Sequence, residues 1–295
     1  MEKLAGAGGG AGRRRAALSG AFGIARAMRV GVVGCGAIGS ALAEGLKDFA
    51  PVERVLFFDL NAARSAALAK SSRKYRVAPT LAALVERSDF VVEAASQAAA
   101  REVAPLALRK GKHVLLMSLG ALADDHFWEA LERASSRGSG RLHLPSGALG
   151  GLEAVASARE AGLTSVRLVT RKPPKALAGV KYLEDRGVDL VGIRKPTVVF
   201  RGTARDAVRH FPANINVAAA LSLAGVGFDR TRVEIVADPG LKTNQHEVTA
   251  KGAFGELHCV VRNVPAPDNP KTSYLAALSA VATVKNAAVG RHFGP

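Results

Sequence analysis

Only two of the 295 residues are cysteine, Cys35 and Cys259. That excludes a disulfide-built scaffold and suits a reducing, cytoplasmic compartment. No Cys/His spacing has the form of a zinc site, and no scattered carboxylate pairs with a histidine at ligand spacing, so no metal is expected. Aromatic side chains make up 5% of the chain, too few for the stacking platforms on which single-stranded nucleic acid lies. No stretch reaches the roughly 20 uncharged apolar residues that cross a bilayer, and no membrane partner is expected. Acids are the remaining shortage: 25 Asp and Glu stand against 41 Lys and Arg, a net charge of +16. A polyanion-binding protein gathers such an excess into a stripe. Here residues 1–27 hold +4 (Lys3, Arg13, Arg14, Arg15 and Arg26 against Glu2) and the other +12 is spread over 28–295. The basic run at Arg171, Lys172 and Lys175 has no aromatics interleaved, and nucleic acid is not expected as a partner.

What is plentiful is apolar residue, 48% of the chain, enough to bury one large core or two modest ones. Residues 1–27 read as a flexible Gly/Arg-rich leader. Ala25-Arg26-Ala27 has the outline of a signal-peptidase site, but the arginine within it argues against export. From Met28 short apolar runs at 28–33, 52–59, 90–93, 113–118 and 141–144 alternate with helical patterns at 39–47, 61–69, 80–87, 97–109 and 124–137. This alternation predicts an α/β fold, a Rossmann-type doubly wound parallel sheet over 28–145. Beyond it the runs lengthen, at 164–170, 196–201, 232–237, 247–251 and 255–264, with a helical pattern at 216–223. These predict a second, α+β domain over 146–269. An alanine-rich helix at 273–288, within a 270–295 segment free to pack back on the first domain, completes the pattern.

Gly34-Cys35-Gly36-Ala37-Ile38-Gly39 fits G-x-G-x-x-G between a predicted strand and a predicted helix, and Asp59 closes the next strand 20 residues after Gly39. In that setting the motif predicts a dinucleotide site. Gly34 allows the turn, Gly36 lets backbone approach the pyrophosphate, and Gly39 allows close helix packing, while the helix N-terminus at Ala37 and Ile38 offers N–H groups to phosphate. Asp59 would accept from ribose hydroxyls, which favours NAD; Arg64, one turn on, keeps NADP open.

Substrate chemistry is expected at the carboxyl edge of the sheet. The loop Ser146-Gly147-Ala148-Leu149-Gly150-Gly151 and the segment Ser118-Leu119-Gly120-Ala121 fall there. Arg171 and Lys172, in Thr170-Arg171-Lys172-Pro173-Pro174-Lys175, suit a carboxylate-bearing substrate. In Phe211-Pro212-Ala213-Asn214-Ile215-Asn216, Asn214 suits a helix cap and Asn216 a contact to a nicotinamide carboxamide. Of seven histidines, His246 lies in a polar segment between two apolar strands and is the candidate proton acceptor; His210 is the local competitor.

Taken in order, Gly34–Gly39, Val92-Glu93-Ala94-Ala95-Ser96-Gln97, the Ser118 and Ser146 segments, Thr170–Pro174, Phe211–Asn216 and Asn244-Gln245-His246 resemble the L-aspartate dehydrogenase family. The resemblance runs from Met28 to the end of the chain. It implies a two-domain oxidoreductase converting L-aspartate and NAD or NADP to iminoaspartate, which hydrolyses to oxaloacetate and ammonia or feeds NAD biosynthesis. It further implies His246 as the active-site residue and a homodimer. It puts Ser96, Gly150 and Asn216 on the cofactor and Arg171, Lys172 and Asn214 on the substrate. The family loop often has alanine where this chain has Gly150. Other readings of the same residues are a homoserine-dehydrogenase-like or dihydrodipicolinate-reductase-like enzyme and a non-catalytic dinucleotide sensor.

Overall fold

The computed structural model describes residues 27–211, 215–267 and 269–291. Residues 1–26 of the leader, Asn214 and His292 lie outside these residues. Among the described residues the chain builds two principal sheets.

The first sheet holds β1 (Met28–Val33), β2 (Val52–Phe58), β3 (Tyr75–Val77), β4 (Phe90–Glu93), β5 (His113–Leu116) and β6 (Leu142–His143), in the order β3-β2-β1-β4-β5-β6 with every pairing parallel. Strands covered on both faces must be apolar throughout, and β1 and β4 are, apart from the residues at their ends. The connecting helices are α1 (Ala37–Leu46), α2 (Ala62–Ala69), α3 (Leu81–Arg87), α4 (Gln97–Arg109) and α5 (Asp125–Ser136). Several starts follow capping chemistry: Asn61, Thr80, Ser96 and Asp124 each accept from a first-turn amide.

One face of this sheet packs Val30, Val32, Phe57, Phe90 and Leu115 under α1 and under α10 (Tyr274–Ala288), the last helix of the described chain. The approach of α10 to α1 is close enough that a methyl at Gly45 would lie 2.5 Å from Val281 Cγ1. The other face packs on α3, α4 and α5, and that cluster runs on without a break into the second half of the chain.

After β6 come α6 (Leu152–Arg159), β7 (Leu163–Lys172), α7 (Lys181–Glu184), β8 (Thr197–Thr203), α8 (Ala204–His210), α9 (Asn216–Ala224), β9 (Arg232–Ala237), β10 (Asn244–Gly252) and β11 (Gly255–Asn263). They form a mixed sheet in the order β11-β10-β7-β9-β8. Only β7 and β9 are parallel. Even-numbered residues of β7, among them Val166, Leu168 and Thr170, are buried on one face with Val248 and His246 of β10 and, across β9, Val233 and Ile235. Odd-numbered Arg167 and Arg171 lie on the other face. A short pair, β12 (Pro265–Ala266) and β13 (Asn269–Ser273), leads the chain back to α10.

Arg205 of α8 ties the two parts together. Its guanidinium reaches Asp229 at 2.6 Å and Asp125 at 3.2 Å, and donates to the Ala123 carbonyl.

The α1–α10 contact carries a prediction. Gly45→Ala should lower unfolding stability by about 1–3 kcal/mol through overpacking. In urea unfolding, the pair Gly45→Ala with Val281→Ala should lose less than the sum of the single changes.

Candidate functional site

The site begins where β1 ends. Gly34 has φ +96°, and a Cβ there would lie 2.6 Å from the Ala94 carbonyl oxygen, so the turn admits no other residue. A Cβ at Gly39 would lie 2.4 Å from the Gly34 oxygen, which sets α1 hard against that turn. Gly36 is the opposite case: nothing stands within 4 Å of its Cβ position. α1 has neither a side-chain cap nor an acid in its first turn. The amides of Ala37 and Ile38 therefore lack intrahelical acceptors and, with the positive end of the helix dipole, serve the open space beside Gly36.

Asp59 stands at the lip of the same space. Its Oδ2 accepts from Cys35 N–H and its Oδ1 from Asn61 N–H, each at 2.8 Å. Each carboxylate oxygen keeps acceptor capacity for a ribose hydroxyl. Burial, with Asp59 adding to it, pushes the Cys35 thiol up to about 12, so it stays protonated. A cleft of about 460 Å³ joins Gly34, Gly36, Asp59, Arg64 and Ser96 and is walled by Leu60, Leu81 and Val103. Ser96 caps α4 by accepting from Ala99 N–H at 3.1 Å, which leaves its hydroxyl hydrogen to donate. A phosphate cradle, a ribose acceptor and apolar walls in one cleft fit a dinucleotide.

Glu93, inside one of the motif segments yet unassigned from sequence, is fully buried at the end of β4. Its Oε1 accepts from Ala95 N–H (2.8 Å), Ser96 N–H (3.0 Å) and the Ser118 hydroxyl (3.0 Å), and its Oε2 from Ser118 N–H (3.1 Å). Burial raises its pKa, against the pull of these donors. Its signal in the sequence is an acid closing an otherwise apolar strand. The Ser118 turn that it holds meets the second half of the chain: Gly120 N–H donates to Asn216 Oδ1 at 3.2 Å. Asn216 thus lies at the junction, with its amide nitrogen as the group left to donate.

Gly150 also sits on the junction. Its Cβ position is 3.1 Å from Cys259 Sγ and 3.5 Å from Val261 Cγ2, on β11. Asn263 Nδ2 donates to the Ala148 carbonyl at 3.0 Å and pins the loop there.

Val261 stands in register with His246 of β10, and His246 with Thr170 of β7. The segment around His246, read from sequence as a polar stretch between strands, is itself the start of β10. His246 is 3% exposed, because pairing on both sides and the covering helices remove it from water. Its Nδ1 lies 3.1 Å from Thr170 Oγ1. Burial, with the positive charge of Lys172 adding to it, pushes its pKa down to about 3. Lys172, two residues along β7 on the same face and also buried, is pushed down to about 8 by burial. Arg171 departs from the sequence reading. As the intervening strand residue it lies on the opposite face, so the structure brings Lys172 to His246 and takes Arg171 away from both. Asn214 lies outside the described residues. His210 packs in an aromatic group with Tyr182 and Phe200.

Comparison with known proteins agrees with this geometry. Residues 153–287 match the family model described as aspartate dehydrogenase, C-terminal, and residues 34–145 that of the homoserine dehydrogenase NAD binding domain. The L-aspartate dehydrogenase of Methanosarcina barkeri is 45% identical over 260 residues, spanning 88% of this chain and 96% of that protein. That of Methanocella arvoryzae is 47% identical over the same shares. The chain belongs to the aspartate dehydrogenase family. The crystal structure of the family member from Thermotoga maritima superimposes with a TM-score of 0.71 at 30% identity, covering 90% of this chain and 99% of that one. A hyperthermophilic archaeal homoserine dehydrogenase in complex with NADPH, at TM-score 0.55 and 12% identity, shares the fold alone. Where the aspartate dehydrogenase loop often carries alanine, a methyl at 150 would crowd the Cys259 sulfur here.

The glycines of the dinucleotide cleft separate folding from binding. Gly36→Val should leave the unfolding temperature within about 2 °C yet weaken NADH binding at least tenfold, about 1.4 kcal/mol, because its side chain fills space the protein leaves open. Gly34→Ala should lower the unfolding temperature itself. Fluorescence titration with NADH and thermal unfolding of both variants check this.

Proposed function

We propose that the chain oxidises L-aspartate with NAD or NADP to iminoaspartate, which water converts to oxaloacetate and ammonia. The observation that carries this reading is the buried pair Lys172 and His246, placed on one face of the second sheet beside the Gly150 loop. Cofactor and substrate meet there at the carboxyl edge of the first sheet. A buried ammonium is stabilised by a charge-assisted hydrogen bond to a carboxylate, which offsets the loss of water around both. Lys172 therefore takes a substrate carboxylate, and with Arg171 turned away the contact rests on it.

The bound nicotinamide supplies the hydride acceptor for the substrate Cα–H. Every other step belongs to this chain. The N–H groups at Ala37 and Ile38 and the carboxylate of Asp59 hold the dinucleotide. Asn216 and the Gly150 loop, both at the junction, would contact it there. His246, neutral across the working pH range, takes the proton from the substrate ammonium. The negative charge of a bound dicarboxylate raises the basicity of His246 at the moment it is needed. Intercepted before hydrolysis, the imine would supply pyridine-nucleotide biosynthesis.

The proposed partner is a second copy of the chain. That proposal rests on the chain's membership of the aspartate dehydrogenase family. The two free cysteines suit a cytoplasmic setting.

Aspartate-dependent formation of NADH and NADPH, followed by absorbance with NAD+ and NADP+ separately, tests the activity; no reduction of either with aspartate refutes it. His246→Ala should lower kcat by about 10²–10⁴-fold and leave NADH affinity within about twofold. Succinate, a dicarboxylate without the amine, should inhibit competitively below pH 8. Above pH 8 its Ki should rise up to about tenfold per pH unit as Lys172 loses its proton. In Lys172→Met that pH dependence should vanish.

A further inference from the structure

Thr170 precedes the two basic residues of its motif and has no role in the reaction described above. It is 3% exposed and stands directly opposite His246 across the antiparallel β7–β10 pair, its Oγ1 3.1 Å from Nδ1. A neutral imidazole carries one proton, and the partner of one ring nitrogen decides which nitrogen holds it. Among the described residues the hydrogen-bond partner of Nδ1 is this hydroxyl, which is able to donate or to accept. Lys172 lies two residues further along the same face of β7, about 6.6 Å by strand geometry. Its ammonium charge opposes a second proton on the ring. One nitrogen must therefore be presented bare to the substrate if the ring is to take up a proton.

We infer that Thr170 is the positioning residue for His246: its hydroxyl oxygen accepts from Nδ1–H, fixes the ring plane against the sheet, and leaves the Nε2 lone pair as the proton acceptor. The inference rests on the reading of His246 as the group that takes the substrate proton. When a proton moves from the substrate ammonium to Nε2, the ring becomes an imidazolium whose Nδ1–H still donates to Thr170. No other proton has to move. A buried, strand-borne hydroxyl is suited to this because its backbone is held on both sides, by β9 and by β10.

The test sets two substitutions against each other. Thr170→Val keeps the shape and removes the hydroxyl; Thr170→Ser keeps the hydroxyl and removes a methyl. Positioning through the hydroxyl predicts that Thr170→Val loses ten- to a hundredfold in kcat with aspartate KM within about threefold, while Thr170→Ser retains at least half of wild-type kcat. A packing role gives the reverse order and overturns the inference. Nitrogen-15 NMR of the histidine-labelled wild-type protein gives a second measurement that needs no variant to fold. It should show His246 protonated at Nδ1; protonation at Nε2 overturns the inference. His246→Ala separates the two levels. If it loses turnover while Thr170→Val does not, the positioning role fails and the reading of His246 stands. If His246→Ala itself turns over normally, that reading fails with it.

Discussion

A carboxylate cut off from water holds the carboxyl edge of the first sheet in shape. Glu93 takes N–H or O–H donors from two different connections, the one entering α4 and the one leaving β5. Buried acceptors are costly unless satisfied, and satisfied networks are rigid. The residues at the mouth of the dinucleotide cleft, Ala95 and Ser96, thus share an anchor with the Ser118 turn that meets Asn216. Cofactor groove and substrate sheet are referred to one fixed point. The turn at Gly34 depends on the same place, because the backbone it nearly touches is Ala94 and Ala95.

The substrate side follows a different physical logic. Lys172 and His246 are both held in an environment that disfavours their charged forms, and the charge of Lys172 further lowers the affinity of His246 for a proton. In the proposed reaction, an anion carrying two negative charges favours the protonated form of each. Recognition of a dicarboxylate and activation of the base become, in that reaction, one electrostatic event. Its neighbours in register, buried Thr170 and Ile235 and half-buried Val261, limit the water that would screen it.

How much of this was legible follows the distance over which each contact is made. The first sheet was readable nearly residue by residue, since strands covered on both faces are unbroken apolar runs; β1 and β4 fall where the pattern put them. β3 escaped because Tyr75–Val77 is three residues long and two of them are exposed. The nucleotide half of the site is local, a turn and a helix start. The substrate half is assembled by register: Thr170 and His246 are 76 residues apart. Asn244 and Gln245 look like loop in isolation and are strand only because β7 and β11 flank them. Alternation within β7 was enough to separate Arg171 from Lys172, but only once the strand was known to extend to Lys172. α6 was hidden behind the glycines of the 146–151 loop, which read as a ligand-facing turn at the edge of the sheet.

The return of α10 to the first sheet has a consequence for how the molecule is made. The layer that covers Val30, Val32 and Phe57 is finished by Ala280, Val281 and Val284, which leave the ribosome after all of the second sheet. During synthesis the nucleotide-binding half therefore waits, with part of one face bare, until the whole catalytic sheet has emerged. The two halves cannot mature one after the other, and a chain that stops short of residue 280 lacks the lid of its first core as well as its own end.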